Sequence, residues 1–206
     1  MKRLTFTLTL LLPILFCGCY PFANQNRPFS EKFHYKKIAI LPFDIRTSVQ
    51  HLPEGVTISM VENYERKKAR TMQRDLYRYI LRELAKSSRK VKFQHVNDTN
   101  KRLLKKGITD EEVLNMSKKQ IAKALKVDAV IYATVYQYKN KMKWHGDDFL
   151  RYAGGNNRVS AVLNVYEKRR GRIEWKYDSS QSGFPSDYAP DAIKGLLRKA
   201  ARNFPM

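Results

Sequence analysis

The residues best equipped for chemistry are few, and their spacing does not organise them. One imidazole and two carboxylates crowd the stretch Trp144-His145-Gly146-Asp147-Asp148, a donor set suited to a divalent metal or to proton transfer. A working site of that kind needs a further His or carboxylate carried in by another element. His34, His51 and His95 are scattered, without the HExxH-like spacing that sets two ligands on one helix face. The chain has no Ser-centred nucleophile elbow, no P-loop and no dinucleotide fingerprint. The expectation is a solvated hairpin tip at 144–148, with no catalytic residue, no metal site and no cofactor.

The two cysteines belong to a different chemistry. Cys17 and Cys19 follow a basic start, Lys2 and Arg3, and an apolar run from Leu4 to Phe16; beyond them the chain turns polar. A charged n-region, a short apolar h-region and a small residue at the cut make an export signal. The run is too short for a permanent span, and Pro13 interrupts it. Gly18-Cys19 resembles a lipobox, where a lipoprotein signal peptidase cuts before a diacylated cysteine, although Phe16 and Leu15 stand where a single Leu is usual. Cys19 is therefore the candidate lipidation site, residues 1–18 the signal peptide and residues 19–35 a lipidated tether. An ordinary cleaved secretory signal is the alternative. Cleavage before Cys19 leaves one cysteine, so no disulfide within the chain is expected.

The 206 residues carry 40 Lys and Arg against 19 Asp and Glu, a formal charge of +21. A balance this basic favours an anionic partner. For an exported chain that means lipid head groups, lipopolysaccharide, acidic glycan or an acidic protein, rather than nucleic acid. Much of the charge sits on one predicted helix, Glu65 to Lys86. Met72, Leu76, Ile80 and Leu84 recur at every fourth residue, and so do Arg66, Arg70, Arg74, Arg78, Arg82 and Lys86. The two rows lie roughly 200° apart around the axis, so one packs on a sheet while the other presents cations. Arg70, Arg74, Arg78 and Arg82 are the candidate anion- or partner-binding residues; the plain alternative is a solvated helix face.

The remaining elements have to position these groups. Lys36 to Asp44 reads as a strand apolar on both faces, hence central, with Pro42 at its end. Residues 45–63 read as a loop, and Val91 to Val96 as a short strand. Asp98 or Thr99 is expected to cap a one-turn helix closed by Gly107. Thr109 and Ser117 open two short helices with capping-box spacing. Asp128 to Tyr138, Arg158 to Tyr166 and Arg172 to Tyr177 read as an antiparallel meander, with 139–157 as a long polar hairpin loop. Asp187 is expected to cap a closing helix with Ala189, Ile193, Leu196, Leu197, Ala200 and Ala201 on its apolar face. The fold class is α/β (α+β): a mixed, partly antiparallel sheet of about five strands, a long helix, short helices and a C-terminal helix. Residues 36–206 form one domain in this reading.

The stretches KKIAILPFD and IAKALKVDAVIYATVYQY, the hairpin that follows and the closing helix ending in Phe204-Pro205 together resemble a known group. They are similar to the periplasmic α/β domain of the TolB N-terminal domain, the LpoB activator of penicillin-binding proteins, CsgG and GNA1162-type lipoproteins. The resemblance covers roughly residues 36 to 204 and rests on core residues, which report fold better than task. It implies a non-enzymatic module; with the lipobox at Cys19, and with Tyr20 rather than the Asp that commonly retains lipoproteins at the inner membrane, the expected place is the periplasmic face of the outer membrane. Such a module would work through protein contacts in envelope assembly, secretion or regulation of envelope synthesis. A subunit of an outer-membrane export apparatus, like CsgG, is the second reading, although no pair of long lipid-facing hairpins is evident. A hydrolase or transferase acting on envelope polymers is the third. Partner identity and oligomeric state stay open.

Overall fold

The computed structural model describes residues 35–49, 52, 54–88, 90–139, 142–145, 149–152, 157–184 and 189–205. The residues read as a signal peptide, most of those read as a tether, and with them Cys17 and Cys19, lie outside these. A six-stranded mixed sheet is the frame. β1 (Lys37–Ile40) runs parallel to β3 (Lys92–Phe93) on one side and to β4 (Ala129–Lys139) on the other. β7 (Asn157–Glu167) and β8 (Ile173–Phe184) continue from β4 as the expected antiparallel meander. Ile38 and Ile40 are buried on one face of β1, Ala39 and Leu41 on the other. The central, doubly covered strand is as read from the sequence.

A break after β1 overturns one expectation. Residues 45–63 are not a loop: Asp44–Val49 is a strand, β2, and it too runs parallel to β4. The register goes from Ile40 opposite Ile131 to Asp44 opposite Thr134, four steps on one chain against three on the other. Pro42 has no N–H to give the ladder and sits in this bulge. The long helix α1 then begins early, spanning Ile58–Leu84 rather than 65–86, because the Thr57 side chain accepts the Met60 N–H at 3.3 Å.

Helices cover both faces of the sheet. On one, Ala69, Met72, Leu76 and Ile80 of α1 pack with Ile193, Leu196, Leu197, Ala200 and Ala201 of α5 (Ala189–Arg202). They meet Ile131, Ala133 and Val135 of β4, the inward residues of β7, and Trp175 and Tyr177 of β8. Pro190 lies in the first turn of α5; Asp187, its expected cap, is outside the described residues. The other face carries α2 (Val96–Lys105), α3 (Asp110–Asn115) and α4 (Lys118–Leu125), through Leu103, Val113, Ile121 and Leu125. Val130 belongs to this second layer. Side chains alternate along a strand, and Ile131 is the one that faces α1.

The short elements follow local chemistry. Thr109 and Glu112 complete a capping box at α3, and Ser117 caps α4. Gly107 takes φ 69° after α2, the left-handed turn glycine allows. α2 itself starts earlier than expected: His95 Nδ1 accepts the Asn97 N–H at 3.2 Å, and the buried Thr99 donates to the His95 carbonyl at 3.2 Å. This early start shortens β3 to two residues. β8 reaches Phe184, well past Tyr177, by backbone pairing to β7. The span read as a polar loop holds a separate antiparallel pair, β5 (Met142–His145) and β6 (Phe149–Tyr152).

Candidate functional site

The break at Pro42 opens a groove of about 1000 Å³ between the β1–β2 corner, α1 and α2–α3. Phe43, Ile45, Ala69, Val96, Leu103 and Ile108 contribute apolar floor, while the rim carries both signs of charge. Two amides, the buried Gln73 and the half-buried Asn100, hold the corner in shape. Past β3 the Ile40 carbonyl has no neighbouring strand to accept from, and Gln73 Nε2 donates to it at 2.7 Å. Gln73 and Asn100 exchange reciprocal amide hydrogen bonds, each 3.1 Å, tying α1 to α2. The Arg70 guanidinium reaches both oxygens of Asp110, at 3.1 and 3.0 Å, and joins α1 to α3. Leu104, 78 % exposed, and Leu114, 41 %, stand on the α2–α3 rim.

Two polar clusters flank the groove. Asp44 Oδ2, buried at the start of β2, accepts from Arg46 Nε at 3.0 Å and from the Tyr132 hydroxyl at 3.1 Å. Burial, and then the Asp44 charge, push the Tyr132 phenol up to about 12. The neighbouring Lys118 donates to the carbonyls of Val113, Leu114 and Met116, and its ammonium lies 4.2 Å from the Tyr132 ring centroid. It thus closes the C-terminus of α3 with a cation; burial lowers its pKa. Beneath the N-terminal half of α1, Lys68 donates to the Tyr64 hydroxyl at 3.1 Å and to Gln137 Oε1 at 2.9 Å. Burial pulls the Lys68 amine down to about 8, against a weaker upward pull from Glu65. Glu65 in turn accepts the Thr47 N–H of β2 at 2.8 Å.

The arginine row does not share one environment. Arg70 is engaged with Asp110 at the groove, where Arg66 and Arg74 also lie. Arg66 donates to Asn63. Arg78 pairs with Asp75 at 3.3 Å and, with Arg74, borders a second recess beside Tyr77 and His95. Arg82 stands over the Tyr79 ring, 6.0 Å from its centroid, and Lys86 pairs with Glu83. Of the 144–148 cluster, Trp144 and His145 lie in β5, while Gly146, Asp147 and Asp148 are outside the described residues. Among the described residues no group of three or more His, Cys, Asp or Glu is placed to hold a metal. None of their helices is long and apolar enough to cross a membrane. Sequence reasoning missed Gln73, Asn100, Lys68 and the Leu104 rim. An isolated Gln within an apolar helical row was the one available sign.

These elements define a mixed α/β domain with a long helix across one face of the sheet. No family model matches the chain, and no curated protein matches it. Among solved structures it is similar to the lipoprotein GNA1162 from Neisseria meningitidis, at 12% identity and TM-score 0.42, over 82% of this chain and 99% of that one. It is also similar to a PelC dodecamer from Paraburkholderia phytofirmans, at 10% and 0.41, over 81% and 85%. The C-terminal domain of LpoB from Salmonella enterica matches at 12% and 0.36, over 71% and 82%. GNA1162 and LpoB are two of the proteins that the sequence itself resembles. The likeness is one of fold.

Proposed function

We propose that this chain is a lipoprotein of the cell envelope, anchored through Cys19 and held on residues 19–35, whose domain binds a protein partner rather than catalysing a reaction. Its place is the periplasmic face of the outer membrane, and its partners belong to envelope assembly, secretion or the regulation of envelope synthesis. The observation that carries this reading is the open groove with Leu104 bare on its rim. An apolar floor within a charged, hydrogen-bonding rim is how protein interfaces are built. Leu104 and Leu114 extend the apolar floor onto the exposed rim, and apolar surface continuous with a groove is what a partner covers.

The test uses the membrane-bound protein. Fatty-acid analogue labels the wild type and not Cys19→Ala, and the variant leaves the membrane fraction. A photoreactive residue at position 97, inside the groove, then crosslinks to one discrete protein. Leu104→Asp removes that crosslink while the melting temperature holds, since the side chain is exposed. Absence of any discrete crosslink from position 97 places the partner elsewhere, a crosslink that survives Leu104→Asp removes the role given to the leucine rim, and an unlabelled wild type removes the anchor.

A further inference from the structure

The end of the arginine row beyond the groove has an arrangement the groove does not use. α5 packs along α1 and brings Arg198 to the same aromatic ring as Arg82: their guanidinium carbons lie 5.3 and 6.0 Å from the Tyr79 centroid. Both arginines are exposed. Neither has a carboxylate partner among the described residues, because the nearby acids are taken. Asp75 holds Arg78, Glu83 holds Lys86, and Asp191 holds Lys194. Two like charges converging on one ring repel each other unless an anion lies between or above them. The ring fixes both planar groups by cation–π contact, so their forks are already oriented for bidentate contact with phosphate oxygens. Arg202, one turn past Arg198 on α5, and Arg78 and Lys86, on either side of Arg82, extend the patch across two helices.

We propose that Arg82, Tyr79 and Arg198 form a phosphate-binding patch through which the α1–α5 face lies on the surface of an anionic phospholipid bilayer. Membrane is favoured over other anions by reach. Counted from Cys19 to residue 34, the tether extends to at most about 55 Å, so an anchored domain never leaves the neighbourhood of lipid phosphates. Modest attraction per arginine is then enough, because the second contact is intramolecular. The tether argument rests on the lipoprotein reading above, and the test separates the two.

Intact protein is mixed with phosphatidylcholine vesicles with or without phosphatidylglycerol, and acylation of individual lysines is followed by mass spectrometry. Flotation on the neutral vesicles reports the anchor alone. The patch is reported by slowed acylation of Lys86 and Lys194 on the anionic vesicles, relative to the neutral ones. Lys176, on the sheet face away from α1 and α5, keeps its rate. The double variant R82E/R198E loses the protection, its adsorption at low salt falling on the order of fivefold per charge. Where that variant melts early, R82Q/R198Q is read instead. Protection that is equal on neutral vesicles, or that survives the charge changes, overturns the proposal. So does protection by polyglutamate without protection by anionic vesicles, which assigns the patch to an acidic protein. Failure to float on neutral vesicles removes the anchor and leaves the anionic footprint to decide the patch.

Discussion

Lys68 makes stability depend on pH in a direction opposite to that of ordinary paired lysines. Its amine sits under α1 with only neutral acceptors, Tyr64 and Gln137, and burial brings its pKa from 10.5 to about 8. The unfolded chain keeps that proton until about pH 10.5 and the folded chain gives it up near 8. Between those values the unfolded state binds more protons, so stability rises with pH. Below pH 8 the folded chain carries the whole cost of a buried ammonium. At about 1.36 kcal/mol per pKa unit the gain approaches 3 kcal/mol, or roughly 6–12 °C in melting temperature for a domain of this size. Above pH 10 the tyrosines reverse the trend. Burial and Asp44 raise the Tyr132 phenol to about 12, and burial raises Tyr35 and Tyr64 as well. There the folded state keeps protons that the unfolded state loses, so a stability maximum near pH 10 is expected.

Urea unfolding across a pH series, followed by the fluorescence of buried Trp175, measures this. Lys68→Met loses the hydrogen bonds to Tyr64 and Gln137 at every pH, which is a constant offset. Relief of the general positive charge acts on wild type and variant alike. The difference between the two curves therefore isolates the titration, and it should climb from about pH 8 and flatten near 10. A flat or falling difference would refute the argument that the Lys68 ammonium is desolvated by this packing. Lys118→Met should remove a further part of the rise, since burial lowers that amine too.

The two sides of α1 separate in a simpler comparison: Leu76→Ala, at a fully buried position, costs about 2–5 kcal/mol. Arg78→Ala stays within about 0.5 kcal/mol, because Arg78 is itself exposed where it meets the half-buried Asp75 and pairs with one partner in solvent are worth little; denaturant midpoints decide both. Gln73→Leu strands the Ile40 carbonyl and the Asn100 amide, costing about 1–3 kcal/mol for each group left unsatisfied. Gln73→Leu/Asn100→Leu should recover part of that loss in the same assay, since the amide deprived of its partner is gone.

The parts of the fold that were legible in the sequence are those where a period and a cap agree. Met72, Leu76 and Ile80, the Thr109 and Ser117 caps, and the alternation Val159, Ala161, Leu163, Val165 each fix an element locally. β2 was not legible. DIRTSV is polar, follows a proline, and becomes a strand because the free edge of β4 is there to pair with it. The last residues of β8, Asp178 to Phe184, are in the same position: backbone pairing to β7, not an apolar face, extends them. Val130 and Ile131 show a different limit. A strand apolar on both faces announces that two layers cover it, and gives no sign of which layer takes the odd positions and which the even.

The arginine row shows why a periodic pattern on a helix does not define a surface. Four residues turn an α-helix through about 400°, so each step of the row advances about 40°, and the five steps from Arg66 to Lys86 carry it roughly 200° around the axis. The apolar row drifts with it, which keeps the two apart at every level and makes the sequence read as two clean sides. A straight neighbour cannot follow such a drift. The early residues, Arg66, Arg70 and Arg74, look toward α2 and α3 and line the groove. Arg82, a little more than two turns beyond Arg74, has rotated to the α5 side and meets Arg198 over Tyr79. One continuous row in the sequence thus supplies two surfaces. The first has carboxylates set against it, in Asp110, Glu62 and Glu111, as suits a partner protein with mixed charge. The second faces Arg198 with its nearby acids already engaged, as suits a surface of uniform negative sign.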